Sequence, residues 1–160
     1  MDRLWTPWRY SYVSAAGPDR GCIFCEKAAS SDDRGNYVLL RAERNFLILN
    51  LYPYTSGHLM IAPYEHMATL GEAPQETLHE MMRLTARAER ALRQVYGPDG
   101  LNIGMNLGES AGAGIAGHIH MHVLPRWTGD GSFMTTVAET RVLPEALETT
   151  YERVKAALNR

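Results

Sequence analysis

Three histidines stand at alternate positions in the stretch GHIHMHVLPRW, which covers residues 117 to 127. His118, His120 and His122 are half of the six histidines in the chain. In a strand, successive side chains point to opposite faces, so the three imidazoles share one face and the apolar residues between them share the other. We expect the apolar face to pack on a core, so the histidine face must meet solvent, a ligand or a cleft.

Three roles are open to this row of imidazoles. A single metal site held by all three is disfavoured, because the outer two lie about 13 Å apart along a strand whereas metal bonds of about 2 Å require close convergence. Three buried core histidines would need a partner for every ring nitrogen. The interpretation that remains is a row of imidazoles lining a catalytic or phosphate-binding surface.

The loop before the histidines favours a phosphate site. Residues 108 to 117 read GESAGAGIAG, with glycines at positions 108, 112, 114 and 117. Glycine lets backbone N–H groups approach an anion closely, and successive amides can form an anion-binding nest. Most glycine-rich loops are simply turns, but this one leads directly into the histidine segment.

Attack on phosphorus by a histidine sets further requirements. The imidazole must be neutral and present one nitrogen, while the other nitrogen keeps its proton and donates it to a fixed acceptor. A histidine two residues away lies on the same side and can bind the phosphate or assist the leaving group. The spacing therefore favours attack by the middle residue, His120, with His118 and His122 as helpers.

The chain has two cysteines, Cys22 and Cys25, in the sequence GCIFCEK. In a cytoplasmic protein of this size, such a pair is more typical of half a metal site or a redox pair than of a structural disulfide. Two thiolates supply half of a tetrahedral zinc shell. Any zinc must therefore recruit histidines.

Periodicity elsewhere indicates the elements that position these groups. Strands are predicted at residues 36–40, 45–50, 58–63, 100–108 and 118–125. A long helix is predicted at 74–96 and a final helix from about Pro144. The predicted buried face of the long helix contains Leu78, Met81, Met82, Thr85, Ala88, Leu92 and Val95. The order of elements predicts an α+β domain with a largely antiparallel sheet.

Composition limits the class of protein. At 160 residues the chain is about one domain long, and its net charge of −2 argues against a dedicated nucleic-acid binder. No apolar run approaches the roughly 20 residues needed to span a bilayer. The N-terminal MDRLWTPWRYSY lacks the apolar region of a signal peptide. We therefore expect a cytoplasmic protein without a membrane partner.

Several stretches resemble one known family. HIHMHVL resembles the signature of the histidine triad (HIT) family, in which histidines alternate with apolar residues. LYPYTSGHLMIAPYEH is similar to its upstream Gly-His strand, LNIGMNLGESAG to its Asn-x-Gly strand and loop, and CIFC to the cysteine pair of many bacterial members. The resemblance implies one HIT-like domain over residues 1–160, with an N-terminal segment (1–35), a core (36–127) and a C-terminal extension and helix (128–160).

The family's activity implies catalytic roles. HIT hydrolases and transferases cleave nucleotides at phosphorus through a covalent nucleotidyl-histidine. By resemblance, His120 would be the nucleophile, and His122 would contact the α-phosphate and assist the leaving group. His118 would orient the site, supported by His58 from the SGH strand.

The resemblance also implies substrate-binding residues. Asn50 matches the position that reads the ribose hydroxyls. Asn106 and the loop residues Gly112, Gly114 and Ile115 match the phosphate-side contacts. Many relatives carry Gln or Ser shortly before the triad, where this chain has AGAGIAG and one extra residue. We therefore expect more of the phosphate contacts to come from backbone amides.

Bacterial members with the cysteine pair resemble zinc proteins. By this resemblance Cys22, Cys25, His66 and His118 would form a closed structural zinc site that pins the N-terminal segment to the start of the catalytic strand. The alternative is two reduced, buried thiols and a solvent-exposed His66. No organic cofactor and no essential magnesium are expected.

Three further segments resemble a bacterial branch that includes diadenosine tetraphosphate phosphorylases: PRW at 125–127, LWTPWR near the N-terminus, and GDGSFM from residue 129. This implies a dinucleoside polyphosphate substrate, with inorganic phosphate or water releasing the adenine nucleotide. Arg126 would hold a phosphate group, whereas Trp127 would either stack or pack at a dimer seam, or serve ordinary packing.

Two other functions remain as alternatives, a purine nucleoside phosphoramidase and a non-catalytic module that binds nucleotide or zinc. The loop departure and the PRW segment favour the polyphosphate substrate, and the complete triad argues against a pure binder. The resemblance also implies a homodimer, with the long helix and a sheet edge at its interface.

Overall fold

The structure, a computed structural model, describes residues 21–131 and 145–159. In chain order these ranges contain α1 (Ile23–Ala29), β1 (Val38–Arg41), β2 (Asn45–Leu49), β3 (Leu59–Pro63), α2 (Gln75–Tyr96), β4 (Gly100–Gly104), a short 3-10 helix (Glu109–Ala111), β5 (Met121–Arg126) and α3 (Leu147–Leu158). The LWTPWR segment and Pro144 lie outside the described residues. Within the described ranges, no helix combines the length and apolar character that crossing a bilayer requires.

The strands form one antiparallel sheet in the order β1-β2-β3-β5-β4. The predicted α+β class, with a five-stranded antiparallel sheet, a long helix and a C-terminal helix, is therefore confirmed. β5 lies between β3 and β4, so that Val123 pairs with Leu59 on one side and with Ile103 on the other. This order carries the histidine segment into the interior of the sheet.

The alternation of β2 separates two core clusters. Leu47 and Leu49 join the larger cluster, which also contains the buried side chains of α2 and α3. Phe46 and Ile48 point the other way and join a smaller cluster with Phe24 of α1. Because successive strand residues face opposite sides, α1 lies on the face of the sheet opposite to α2 and α3.

The buried face of α2 differs in part from the prediction. It consists of Thr77, Glu80, Met81, Leu84, Thr85, Ala88, Ala91 and Leu92. Met82 is 57% exposed, so its placement on the buried face was wrong. Consecutive helical residues are about 100° apart, and with Met81 directed into the core, Met82 turns towards solvent.

β5 begins at Met121, three residues later than predicted. The shorter pairing follows β4, which ends at Gly104, opposite His122, instead of continuing to residue 108. Before β5, the backbone N–H of Ile119 donates to the carbonyl of Met67 at 2.8 Å. The predicted alternation still holds, since Ile119 is buried in the core as expected.

Glu80 connects α2 to the turn between β1 and β2. Its carboxylate accepts hydrogen bonds from the backbone N–H groups of Glu43 at 3.2 Å and Arg44 at 2.8 Å, and from Nδ2 of the buried Asn45 at 2.8 Å. Burial raises the pKa of Glu80, but these donors outweigh burial and hold the pKa below its usual value. The carboxylate therefore ties the turn to the helix in its ionised form.

We expect Glu80→Gln to lower the free energy of unfolding by about 2 kcal/mol at pH 7. The NH2 group of the new amide would face N–H donors and could not accept hydrogen bonds from them. Urea unfolding measures the change, and Glu76→Gln, an exposed position on the same helix, is the matched control. Since the folded pKa is depressed, this stabilisation is present above about pH 4.5 and is lost as the pH falls through the folded value. Equal destabilisation by both variants would contradict this account.

Candidate active site and metal centre

A pocket opens on the α1 face of the sheet, between α1, the end of β2 and the glycine-rich loop. Six residues singled out in the sequence line it: Asn50, Gly112, Gly114, Ile115, His120 and His122. Gly112 has a φ of 88°, a left-handed conformation that glycine adopts without strain. The fold therefore brings the glycine loop and two of the three histidines to one cavity.

The ring of His120 is held in one protonation pattern. It is 6% exposed, and its Nδ1 lies 2.8 Å from the backbone carbonyl oxygen of His118. A carbonyl can only accept, so Nδ1 carries the proton and donates it, which leaves the lone pair on Nε2. Burial lowers the pKa of His120, against the opposing effect of this hydrogen bond. His120 therefore presents a neutral ring with a free Nε2, as attack on phosphorus requires.

A chain of hydrogen bonds behind the pocket fixes the tautomer of His122. The backbone N–H of Tyr54 donates to Nδ1 of His58 at 3.2 Å, and Nδ2 of Asn50 lies 3.3 Å from the same atom. His58 must therefore carry its proton on Nε2, which donates to Nδ1 of His122 at 2.9 Å. His122 then carries its own proton on Nε2 and offers a donor rather than a lone pair.

The lowered pKa of His122 agrees with its role as a neutral N–H donor. Burial, and then the neighbouring His120, lower the pKa of His122 to about 4. The ring centroids of the two histidines are 4.8 Å apart. A lone pair and an N–H donor, on two neutral rings, are thus placed side by side at the pocket.

Two predicted support roles differ in the structure. The resemblance assigns His58 to support His118 in orienting the site. The hydrogen bond observed for His58 is to His122, because the antiparallel register sets Met60 beside His122, whereas His118 lies next to Pro63 at the other end of β3. Asn106 is absent from the described pocket lining, and its Nδ2 instead donates to the carbonyl of Gly112 at 3.4 Å. Asn106 therefore holds the loop from behind.

The predicted metal ligands converge at the N-terminal end of α1. The ligand atoms of Cys22, Cys25, His66 and His118 all lie within 4.8 Å of one another. Nδ1 of His118 is 3.2 Å from Sγ of Cys22 and 3.7 Å from Sγ of Cys25, and Nδ1 of His66 is 3.4 Å from Sγ of Cys25. A tetrahedral zinc with bonds of about 2.0–2.3 Å sets its ligand atoms roughly 3.3–3.8 Å apart. The three sulfur–nitrogen distances lie in about this range.

The surroundings of the group also suit a cation. Nε2 of His118 lies 2.9 Å from the carbonyl of Pro63, so Nε2 carries the proton and Nδ1 turns its lone pair towards the sulfurs. Burial and the adjacent Cys22 raise the pKa of Cys25, and a bound cation would reverse that effect. The donor set of two sulfurs and two nitrogens is typical of structural zinc sites.

The HIT domain family model matches residues 34–129 of this chain. The chain belongs to the HIT family. It is 39% identical to the AP-4-A phosphorylase of Mycobacterium tuberculosis, over 94% of this chain and 80% of that relative. Among solved structures it is similar to a Zn-bound histidine triad family protein from Mycobacterium smegmatis, with a TM-score of 0.71, 33% identity, and coverage of 87% of this chain and 94% of the other.

In this HIT protein, α1 connects the candidate metal centre with the pocket. Phe24 lies between the two cysteines in sequence, and its ring centroid is 5.2 Å from that of His118 and 4.9 Å from that of His120. His118 turns its ring to the cysteines while its carbonyl holds His120. The cysteine–histidine group is therefore joined to the pocket by two direct contacts, the ring of Phe24 and the carbonyl of His118.

The PRW segment of the HIT domain lies away from the described pocket lining. Arg126 donates to both carboxylate oxygens of Asp130, at 2.5 and 2.8 Å, and to Oδ1 of Asn102 at 2.6 Å. Its predicted phosphate contact therefore has no support in this geometry. Trp127 packs edge-to-face on Tyr96 at 6.3 Å, which favours the ordinary packing role. Of GDGSFM, residues 132–134 lie outside the described residues.

Several pocket residues of this HIT domain were missed in the sequence. The most important come from α1, namely Ile23, Phe24 and Lys27. Ile23 and Lys27 are four residues apart and share a helix face, which is a signal that the sequence carries. The contacts of that helix face depend on how α1 packs against the sheet, and local sequence patterns do not predict this packing.

Proposed function

We propose that this HIT protein cleaves dinucleoside polyphosphates of the diadenosine tetraphosphate type, through a covalent nucleotidyl intermediate on His120. The observation that carries the proposal is the hydrogen bond from Nδ1 of His120 to the carbonyl of His118, which leaves Nε2 as the free nitrogen of a neutral ring at the pocket. The 39% identity to an AP-4-A phosphorylase over most of the chain supports the choice of substrate.

In the first step, the Nε2 lone pair of His120 attacks the α-phosphorus and the bond from phosphorus to the bridging oxygen breaks. The leaving nucleoside polyphosphate departs with that electron pair as an anion. His120 becomes a cationic nucleotidyl-imidazolium whose Nδ1–H stays on the carbonyl of His118. The Nε2–H of His122 donates to a phosphate oxygen and stabilises the charge that develops there.

In the second step, an oxygen of inorganic phosphate or water attacks the same phosphorus and loses its proton to solvent, and the P–N bond returns its electron pair to Nε2 of His120. Phosphate yields a nucleoside diphosphate, and water yields a nucleoside monophosphate. We propose phosphate as the preferred acceptor because the curated relative is a phosphorylase. Neither step changes an oxidation state.

The other pocket residues fit binding roles. Asn50 has one lone pair of Oδ1 occupied by the backbone N–H of Tyr52 at 2.9 Å, and the second lone pair can accept from a ribose hydroxyl. The backbone N–H groups of Gly112 and Ala113 donate within the loop, at 2.9 and 3.3 Å, so Gly114 and Ile115 are the loop residues that we propose as backbone N–H donors to phosphate oxygens. Asn106 acts on this loop through its bond to Gly112.

Intact-protein mass spectrometry after brief exposure to diadenosine tetraphosphate tests the proposal. The expected result is an added mass of one adenylyl group, located on His120 by fragmentation, and its discharge to ADP when phosphate is supplied. Adduct formation from adenosine 5′-phosphoramidate alone would favour the phosphoramidase alternative. Nucleotide binding without any adduct or turnover would instead support the non-catalytic module.

We also propose zinc for the Cys22, Cys25, His66 and His118 group, since a solved HIT structure similar to this one is Zn-bound and the donor atoms here fit a tetrahedral ion. Zinc would supply a structural cross-link between α1 and the segment before β5. The reduced thiols that such a site needs are maintained in the cytoplasm, which we propose as the compartment.

A homodimer remains part of the proposal. β4 is an edge strand of the described sheet, and its Ile103 is 45% exposed. Leu107 beyond the strand and Met82 on α2 are exposed as well. An apolar sheet edge of this kind is suited to pairing with a second copy.

The protonation of His122 predicts an unusually low acid limit for activity. Its pKa is lowered to about 4, so the neutral donor persists well below 6.5, the ordinary value for histidine. Burial lowers the pKa of the nucleophile His120 as well, and protonation of either ring stops the proposed step, so we expect kcat/KM to fall only below pH 6.5. Zinc content is followed at each pH to separate metal loss from protonation. An acid limb centred at or above pH 6.5 would contradict the assignment.

A further inference from the structure

Lys27 brings a cation to a wall of the pocket that is otherwise largely apolar. It lies on α1, four residues after Ile23 and three after Phe24, and all three line the pocket. Its side chain is half-buried, and burial lowers its pKa against the opposing effect of Glu26. The proposed chemistry on phosphorus assigns this lysine no role.

The ammonium of Lys27 is held in place by Asn36. Its Nζ lies 3.2 Å from Oδ1 and 3.4 Å from the backbone carbonyl oxygen of Asn36. The amide of Asn36 is itself fixed, because its Nδ2 donates to the carbonyl of Asp32 at 2.8 Å and to Oγ of Ser30 at 2.9 Å. Arg41 donates to the backbone carbonyl of Lys27 at 3.0 Å, so both ends of the lysine are anchored.

An ammonium has three N–H donors and no acceptor. Two of the donors of Lys27 are directed to Asn36, and the third has no partner among the described residues. Such a preorganised donor loses little side-chain entropy on binding. The ligand atom that it recognises must be an acceptor.

The apolar surroundings indicate which part of a nucleotide lies beside Lys27. The phosphate belongs at His120 and His122, whereas Ile23, Ile48 and Met60 offer an apolar wall suited to the flat face of a base. A base placed against that wall presents its ring edge to the ammonium. In an adenine nucleotide the ring nitrogens N1, N3 and N7 are acceptors.

We propose that Lys27 is a specificity-determining residue that donates a hydrogen bond from Nζ to a ring-nitrogen acceptor of the purine base. The inference rests on the proposed function, since it requires a nucleotide in this pocket. Lys27 selects bases that offer an acceptor opposite Nζ, and it affects substrate affinity rather than the chemical step.

Calorimetric titration with AMP and its 1-deaza, 3-deaza and 7-deaza analogues tests the inference on the full chain. In the unaltered protein, we expect one of the three analogues to bind about tenfold more weakly than AMP, the effect of losing one hydrogen bond to a charged donor. Lys27→Met should bind AMP as weakly as the unaltered protein binds that analogue, and it should bind AMP and the analogue with equal affinity. Turnover of diadenosine tetraphosphate should show a raised KM and an unchanged kcat.

The matched control is Lys155→Met, which removes the charge of a lysine on α3 that is not among the described pocket-lining residues. It should leave all four affinities unchanged. If AMP and its three analogues bind the unaltered protein equally, the base contact is refuted while the proposed reaction stands. A different result would be that Lys27→Met loses the same affinity for AMP and its three analogues, and loses more affinity for nucleotides with more phosphates. That result would make Lys27 a phosphate ligand. No nucleotide binding at all would overturn both proposals.

Discussion

His120→Ala is expected to reduce turnover of diadenosine tetraphosphate by about 10⁴-fold or more, with nucleotide affinity changed only a few-fold. The proposed covalent intermediate needs a nitrogen lone pair at this position, and neither alanine nor the neighbouring rings supply one. His122 cannot substitute, because its hydrogen bond from His58 commits its exposed nitrogen to carrying a proton. Stopped reactions with and without phosphate measure the rate, and calorimetry measures the affinity.

Two further variants make this test specific for a nucleophile. His120→Gly leaves a cavity at the nitrogen, and added imidazole should restore part of its activity by attacking phosphorus in place of the missing ring. His79→Ala, on an exposed position of α2, is the control and should retain full activity. Undiminished turnover in His120→Ala would refute the mechanism, whereas loss of both turnover and binding would show that the ring acts in substrate binding.

Loss of the metal is expected to have the second large effect. Cys25→Ser should abolish stoichiometric zinc binding and lower Tm by roughly 10 °C or more, because structural zinc contributes its binding free energy to folding. Two of the four proposed metal ligands lie at the start of α1, Cys22 as its N-cap and Cys25 within it, and the same helix carries Ile23, Phe24 and Lys27 of the pocket. We therefore expect AMP affinity to fall together with zinc content.

Elemental analysis, thermal unfolding and calorimetry with AMP are measured on the same preparations. Chelator treatment of the unaltered protein should reproduce the Cys25→Ser result, and added zinc should reverse the chelator effect but not the substitution. The control is again His79→Ala, which removes a histidine outside the metal group. Zinc-free protein with unchanged Tm and unchanged AMP affinity would contradict both the structural role and the link through α1.

Much of the fold was determined by local sequence patterns. The strand and helix periodicities predicted the antiparallel sheet, the long α2 and the terminal α3, because each pattern records which side chains of one element face the core. The alternation in HIHMHV placed the apolar residues on the core side although β5 begins only at Met121. The four metal-ligand candidates also came from the sequence, through the cysteine pair and the family resemblance.

The tertiary structure alone decided which groups act on one another. The register of β3 against β5 sets His58 within hydrogen-bond distance of His122. The backbone carbonyl that accepts from His120 belongs to His118, whose ring faces the cysteines. The packing of α1 against the sheet made Lys27 part of the pocket. These contacts join residues distant in sequence, or a side chain to a main-chain atom, and residue spacing carries no record of either.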